Sequence, residues 1–128
     1  MAKRMKEKAA RIAENKDTRA RACARYVRIS PYKVRVVLDL IRGAKVNEAV
    51  AILENCTKAG ALPIKKVVQS AAANAEHNLG MNAADLYVAE CFADMGPTLK
   101  RMQPMAHGRG CRILKRTSHI TVRLDAKA

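Results

Sequence analysis

Apolar residues recur at helical spacing in three stretches in the middle of this chain. The first stretch follows Ser30 and Pro31, which suit an N-cap and a first helical residue, and it stops at Gly43. Its apolar residues, three or four positions apart, are Val34, Val37, Leu38 and Ile41. The pattern therefore predicts an amphipathic helix that packs one face against a core.

Two more helices are predicted farther along the chain. A short one begins near Asn47 and ends by Gly60, and its predicted buried residues are Ala49, Ile52, Leu53 and Cys56. A longer one opens at Pro63 and runs to about Asn78. Its apolar stripe consists of Ile64, Val67, Val68, Ala71, Ala72 and Ala75. Because several of these side chains are small, we expect the stripe to pack closely against a neighbouring element.

Alternating apolar and polar residues predict three β-strands, one before the helices and two after them. The strands cover residues 23–29, 86–94 and 112–124. The apolar residues that share a face are Val27 and Ile29 in the first strand, Leu86, Val88 and Phe92 in the second, and Ile120, Val122 and Leu124 in the third. Each strand is expected to be half-buried.

The last two strands predict one long hairpin, from about residue 86 to about residue 124, with its tip at about residues 96–110. Arms that cover residues 86–102 and 107–124 span ~50 Å each at about 3.3 Å per residue. A compact chain of this length has a radius of gyration of only ~14 Å, so the hairpin must project from the body. The predicted elements therefore indicate the α+β class, with three helices, β-strands and a long protruding β-hairpin.

Charge divides the chain of 128 residues into a balanced middle and two basic ends. The formal net charge of +14 splits into +6 for residues 1–25, +1 for residues 26–95 and +7 for residues 96–128. Residues 1–22 also contain few large apolar side chains, which predicts a basic N-terminal extension that stays flexible until bound. Residues 23–128 are predicted to form a single domain that includes the hairpin.

The longest acid-free stretch covers the hairpin tip and its return strand. Between Asp94 and Asp125 the chain carries seven Lys or Arg residues and no carboxylate. Such a segment is expected to need a polyanion around it, which makes nucleic acid the leading partner. An anionic membrane is a weaker candidate, because the basic ends carry few bulky apolar residues and no aromatic anchors. Neither a secretory signal nor a membrane span is predicted, so we expect a cytoplasmic protein.

Catalysis and metal binding are not predicted. The cysteines Cys23, Cys56, Cys91 and Cys111 form no CxxC pair and are expected to be reduced. His107 and Cys111 have ligand-like spacing, but a zinc site needs about four ligands and no second pair lies near them. No Ser or Cys is recognised as a nucleophile that a His would activate. We therefore predict no enzymatic activity, no metal, no cofactor and no small-molecule substrate.

A helix-turn-helix DNA reader is an alternative, because only a few residues around Gly43 join the first two helices. The recognition helix in that arrangement would carry Glu48 and Glu54, with no Lys or Arg before Lys58. Its carboxylates would repel phosphates, which argues against this alternative. A free-standing basic RNA- or DNA-binding module remains open.

Four segments, in this order and spacing, carry a resemblance to a known family. They are ISPYKVRVVLDLIRG at residues 29–43, SAAANAEHN at residues 70–78, GPTLKRMQPMAHGRG at residues 96–110 and RILKRTSHITVRL at residues 112–124. Together they closely resemble the bacterial-type large-subunit ribosomal protein twenty-two family over roughly residues 22–124. The resemblance implies a body of three helices packed on a small antiparallel β-sheet, from which a long β-hairpin protrudes. It also implies a structural protein that binds large-subunit rRNA, supports its folding and assembly, and lines the nascent-peptide exit tunnel with its hairpin.

The resemblance also implies particular site residues and partners. The RNA-binding residues that match the family's motifs are Lys33, Arg35, Arg42, Asn74, His77, Lys100, Arg101, Arg109, Arg112, Lys115, Arg116 and His119. Arg28 is predicted to bind RNA together with them. Those implied for the tip in the tunnel wall are Met102, Gln103, Pro104, Met105, Ala106, His107 and Gly108. The implied partners are large-subunit rRNA, neighbouring large-subunit ribosomal proteins and the nascent peptide that passes the tip.

Two tip residues depart from the family pattern. Met105 stands where the family usually has an arginine, and His107 stands where it commonly has a lysine. The loss of about one to two charges is expected to weaken phosphate contact locally, while the neighbouring basic residues keep the hairpin cationic.

Overall fold

The computed structural model of this protein describes residues 3–15 and 17–126. Within those residues it contains four α-helices and five β-strands. The helices are α1 (Lys3–Glu14), α2 (Pro31–Ile41), α3 (Val46–Asn55) and α4 (Ala61–Leu79). The strands are β1 (Ala20–Val27), β2 (Leu86–Met95), β3 (Leu99–Pro104), β4 (Gly110–Lys115) and β5 (Ser118–Ala126). The predicted α+β class is confirmed, and α1 is added to the three predicted helices.

One core joins three helices to a three-stranded antiparallel sheet. Strand β5 lies in the middle of this sheet, between β1 and β2. Helix α2 contacts β2, α4 contacts β1 and β5, and α3 packs between the other two helices and β2. The largest fully buried side chains include Leu38, Ile41, Ile64, Leu86, Ile120 and Leu124. The alternation predicted for the last strand is confirmed, because Ile120, Val122 and Leu124 are all buried.

The helix predictions hold for the main apolar faces and fail at their margins. All four apolar residues predicted for α2 are buried. Helix α3 buries Val46, Ala49 and Leu53, which lie three or four positions apart, so Ile52 falls at the rim and is 38% exposed. The prediction that Ile52 is buried was therefore wrong. Helix α4 begins at Ala61, before Pro63, and its residue Ala72 is only half-buried.

A β-bulge in β2 reverses the faces predicted for the second half of that strand. Val88 pairs with Leu124 and Glu90 pairs with Arg123, so one extra residue, Ala89, sits between two successive pairs. One inserted residue inverts the alternation that follows it. Beyond the bulge Cys91 and Ala93 are buried and Phe92 is not. The assignment of Phe92 to the face of Leu86 and Val88 was wrong for this reason.

The long hairpin consists of two pairs of strands rather than two continuous arms. Strands β2 and β5 belong to the three-stranded sheet, whereas β3 and β4 form a separate two-stranded ribbon. Residues 96–98 and 116–117 separate the two pairs. There the Gly96 N–H donates to the Thr117 carbonyl at 2.9 Å, and the Thr117 hydroxyl donates to the Pro97 carbonyl at 2.7 Å. We call this crossing the junction, and we call residues 99–115 the arm.

The arm is exposed over nearly its whole length. Every residue from Lys100 to Arg112 is exposed, and only Leu99 and Ile113, near its base, are half-buried. Helix α1 is exposed too, since none of its residues is buried.

Strand β1 begins at Ala20, three residues before its predicted start. The predicted extension and domain also include residues 1, 2, 16, 127 and 128, which lie outside the described residues.

An ion-pair network holds the chain where it enters the sheet. Arg19 bonds to Asp17 and to Glu90, in each case at 2.9 Å. Arg123 on β5 contacts the same two carboxylates, at 3.3 Å for Asp17 and 2.7 Å for Glu90. Hydrogen bonds from the Arg19 side chain are the main reason that the pKa of Asp17 falls from 3.8 to about 2. The pKa of Glu90 is lowered as well, first by Arg19 and then by Arg123.

Because of this network, part of the free energy of unfolding depends on pH. Because the pKa of Asp17 is lowered in the folded state, its contribution is fully present above pH 3.8 and is lost as the pH falls towards about 2. We expect Asp17→Asn to lower the melting temperature at neutral pH and to match the wild type near pH 2. Thermal unfolding followed between these pH values measures the difference. Glu76→Gln, a change at an exposed carboxylate on α4, is the control; a wild-type advantage over Asp17→Asn that does not vary with pH would contradict the prediction.

Candidate nucleic-acid interface

A cationic cleft lies where the arm joins the body. Its volume is about 660 Å³, and it is bordered by the start of α2, by the loop before α4 and by the end of β4. The residues that line it are Arg28, Ile29, Ser30, Lys33, Ala59, Leu114, Lys115 and Arg116. We call it the basal cleft. It brings together two pairs of cations that lie far apart in the sequence, Arg28 with Lys33 and Lys115 with Arg116, and no carboxylate lines it.

The chemistry of the basal cleft suits an anion. Ser30 is the N-cap residue of α2, as predicted, and has an extended conformation, but its side chain makes no capping hydrogen bond. Its side chain therefore lines the cleft without being committed to the helix. The N-terminus of α2 adds the positive end of a helix dipole. Four cations that converge without a carboxylate repel one another, and phosphate groups relieve that repulsion.

The arm carries cations on both of its faces. In the ribbon Lys100 pairs with Leu114 and Met102 with Arg112, so Lys100 and Arg112 share one face. Leu99 pairs with Lys115 and Arg101 with Ile113, so Arg101 and Lys115 share the other. If the arm bound a partner through one face only, cations on that face would be sufficient. Cations on both faces suit surroundings that carry negative charge on both sides of the arm.

The end of the arm, residues 102–108, turns the chain from β3 to β4 and contains no Lys, Arg, Asp or Glu. The Met105 N–H donates to the Arg109 carbonyl at 2.7 Å and closes the turn. His107 and Gly108 follow with φ values of 58° and 66°, in the left-handed region. His107 holds this conformation at a cost that glycine does not have. Met102 and Met105 are 67% and 60% exposed, and all seven residues predicted for the tip are exposed.

Several of the predicted RNA-binding residues make hydrogen bonds within the protein, and three of them attach helices to the sheet. Arg35 on α2 donates to the Ala93 carbonyl from two nitrogens, at 3.1 and 2.9 Å. Arg42 donates to the Cys91 carbonyl at 3.2 Å and forms an ion pair with Asp39. Asn74 on α4 donates to the Arg21 carbonyl of β1 at 3.0 Å. These side chains fasten helices to the sheet edges. Their role in RNA binding stays a prediction, although each guanidinium has further N–H groups.

The two predicted histidines lie in different surroundings. His77 is exposed near the end of α4. His119 on β5 is half-buried, and its Nδ1 accepts a hydrogen bond from the Tyr26 N–H at 3.0 Å. Tyr26 is a residue that the sequence did not single out. The alternation of β1 alone does not mark its position, because the bulge that contains it is defined by the pairing with β5.

Within the described part of the chain, the cysteines, histidines and acidic residues form no cluster of metal ligands. Among residues 3–15 and 17–126, no group of three or more His, Cys, Asp and Glu side chains is positioned to hold a metal ion. Cys91 is buried, and that burial raises the pKa of its thiol. No helix in this part of the chain is long and apolar enough to cross a membrane.

A small α+β body, a basal cleft lined by cations and a ribbon with cations on both faces together define a nucleic-acid-binding protein. The chain belongs to the ribosomal protein L22p/L17e family, whose model matches residues 22–125. Helix α1 lies before the matched region.

Curated relatives agree with this family assignment. The chain is 58% identical to the large ribosomal subunit protein uL22 of Clostridium beijerinckii over 109 residues, which cover 85% of this chain and 98% of that protein. It is 59% identical to the uL22 proteins of Clostridium tetani and of Desulfitobacterium hafniense, over 103 residues in each case. Those alignments cover 80% of this chain, and 93% and 90% of the two relatives.

Proposed function

We propose that this chain is a structural, non-catalytic component of the large ribosomal subunit in the cytoplasm. In this role it binds large-subunit rRNA, supports the folding and assembly of that RNA, and contacts neighbouring ribosomal proteins. Membership of the L22p/L17e family supports the proposal, and its relatives are named as proteins of the large subunit. The observation that carries it is the exposed arm with cations on both faces, because only a partner that encloses the arm neutralises both.

The binding residues are proposed to act in two groups. Arg28, Lys33, Lys115 and Arg116 hold phosphates at the basal cleft, where they converge. Lys100, Arg101, Arg109 and Arg112 contact phosphates along the arm through charge-assisted hydrogen bonds. His77, His119, Arg35, Arg42 and Asn74 complete the proposed interface on the body. The basic extension, which includes α1, is proposed to order fully on RNA.

The tip of the arm is proposed to line the nascent-peptide exit tunnel. Its residues 102–108 contain no Lys, Arg, Asp or Glu, whereas Arg101 and Arg109 flank them directly. The flanking cations anchor the arm in RNA, and a wall without formal charge lets peptides of either charge pass without being held. Met105 and His107 are the residues proposed to face the peptide.

Sedimentation tests the assignment to the large subunit. We expect a tagged copy of the chain, expressed in its own cells, to co-migrate with intact ribosomes in a sucrose gradient. When low magnesium separates the subunits, the chain should follow the large subunit and stay with it after a wash in high salt. A chain that migrates with free nucleic acid, and is absent from large subunits, would instead be a free-standing RNA- or DNA-binding module.

A further inference from the structure

Tyr26 adopts a backbone conformation that a bulky side chain rarely takes. Its φ is 58°, in the left-handed region, and it lies in a bulge of β1 between the pairs that Ala24 and Val27 make with β5. A non-glycine residue in this region is strained, and the strain persists only where the surroundings enforce it. Glycine or asparagine fits this position with less strain, so the presence of a tyrosine needs another explanation.

The neighbouring strand holds this conformation in place. The bulge turns the Tyr26 N–H away from the β-ladder, and Nδ1 of His119 accepts its hydrogen bond at 3.0 Å. The two rings meet edge to face, with centroids 4.9 Å apart and an angle of 89° between their planes. His119 thus satisfies the backbone group and orients the tyrosine ring. The Tyr26 side chain nevertheless remains 57% exposed.

The surroundings of the ring are cationic. The Arg25 guanidinium lies 5.4 Å from the centroid of the Tyr26 ring. Arg28, two residues later, lines the basal cleft. Between Asp17 and Asp39 the chain has six Lys or Arg residues and no carboxylate. An exposed aromatic ring beside cations matches how proteins bind an unpaired nucleotide, since the ring stacks on the base and the cations bind the adjoining phosphates.

We infer that Tyr26 is a stacking platform for one unpaired base of the bound RNA, with His119 as the residue that positions its ring. The inference rests on the proposed RNA-binding function and adds a specific contact to it. The strained bulge is retained because it points an aromatic ring outward at the base of the arm. A protein partner is less suited to this position, since the acid-free surroundings favour phosphate.

Binding measurements with purified large-subunit rRNA test the inference. We expect Tyr26→Asn, which tolerates the left-handed conformation, to weaken binding by on the order of tenfold to a hundredfold, because one base–aromatic stack is lost. Tyr26→Phe keeps the ring and should bind within about twofold of the wild type. Affinities are compared well below the melting temperature of each variant, so that a change reports the folded protein.

The other strongly exposed tyrosine provides a matched control. Tyr32 is 61% exposed and lies 5.4 Å from the Arg35 guanidinium, but it occupies the regular helix α2. Tyr32→Asn should leave binding within about twofold of the wild type. Equal losses from both tyrosines, or none from Tyr26→Asn, would overturn the inference and leave the proposed function standing. Failure of the wild-type protein to bind rRNA would overturn the proposed function itself.

Fluorescence offers an independent readout, because the chain has three tyrosines and no tryptophan. In a variant with Tyr32→Phe and Tyr87→Phe, all tyrosine emission comes from Tyr26. We expect rRNA to quench this emission strongly and a perfectly paired RNA duplex to quench it weakly, since paired bases are not free to stack on the ring. Equal quenching by both RNAs would count against stacking.

Discussion

Replacing Lys100, Arg101, Arg109 and Arg112 by alanine is expected to lower the affinity for large-subunit rRNA by on the order of a thousandfold at 0.1 M salt. Each cation that pairs with a phosphate releases counterions, so the logarithm of the binding constant falls with the logarithm of the salt concentration. One lost contact reduces that slope by about 0.7 to 0.9, and the loss of four reduces it by about 3. All four residues are exposed, so we expect the melting temperature to stay unchanged.

The measurement is a salt titration of the rRNA affinity, and charge-preserving exchanges are its control. Lys100→Arg, Arg101→Lys, Arg109→Lys and Arg112→Lys together keep every charge of the arm and should retain the wild-type slope. An alanine variant with an unchanged slope would show that the arm does not touch phosphates. A lower rRNA affinity of the charge-preserving variant would show that the bidentate geometry of arginine matters more than its charge.

Adding a methyl group at the junction is expected to destabilise the fold and to misdirect the arm. In Gly96→Ala the new Cβ would collide with the hydroxyl oxygen of Thr117 and lie 3.2 Å from Cε1 of His119. Thr117 is buried, and its hydroxyl is held by the Pro97 carbonyl, so it has little freedom to move away. Overpacking of this kind costs about 1–3 kcal/mol in the free energy of unfolding.

Denaturant unfolding and rRNA binding measure the two effects of Gly96→Ala. Thr117→Ala alone should cost about 0.5–1.5 kcal/mol for its lost hydrogen bond. In the double variant the colliding oxygen is absent, so the combined loss should be smaller than the sum of the two. Gly60→Ala is the control, because a Cβ there would come no closer than 3.7 Å to any neighbour. If the losses in the free energy of unfolding were strictly additive, the cost of Gly96→Ala would not come from a collision with the Thr117 hydroxyl.

The sequence was enough to predict the helices, the central strand and their buried faces, because these depend on local patterns of apolar residues. The helical spacing from Val34 to Ile41 marks the buried face of α2, and the alternation from Ile120 to Leu124 marks the central strand. These spacings show which face of each helix or strand is buried, even when the elements packed against it are unknown. The split of charge between a balanced middle and basic ends likewise needs no structure, and it indicated a polyanionic partner.

Tertiary structure decided where strands change face and which cations meet. The bulges at Ala89 and Tyr26 arise from pairing with β5, so the alternation of β1 or β2 alone does not show them. The same holds for the site. Arg28 and Arg116 line one cleft because the end of β4 lies near the start of α2, whereas the Arg35 side chain donates to the Ala93 carbonyl. Composition states how many cations the chain has, but only packing and register determine which of them are left for a partner.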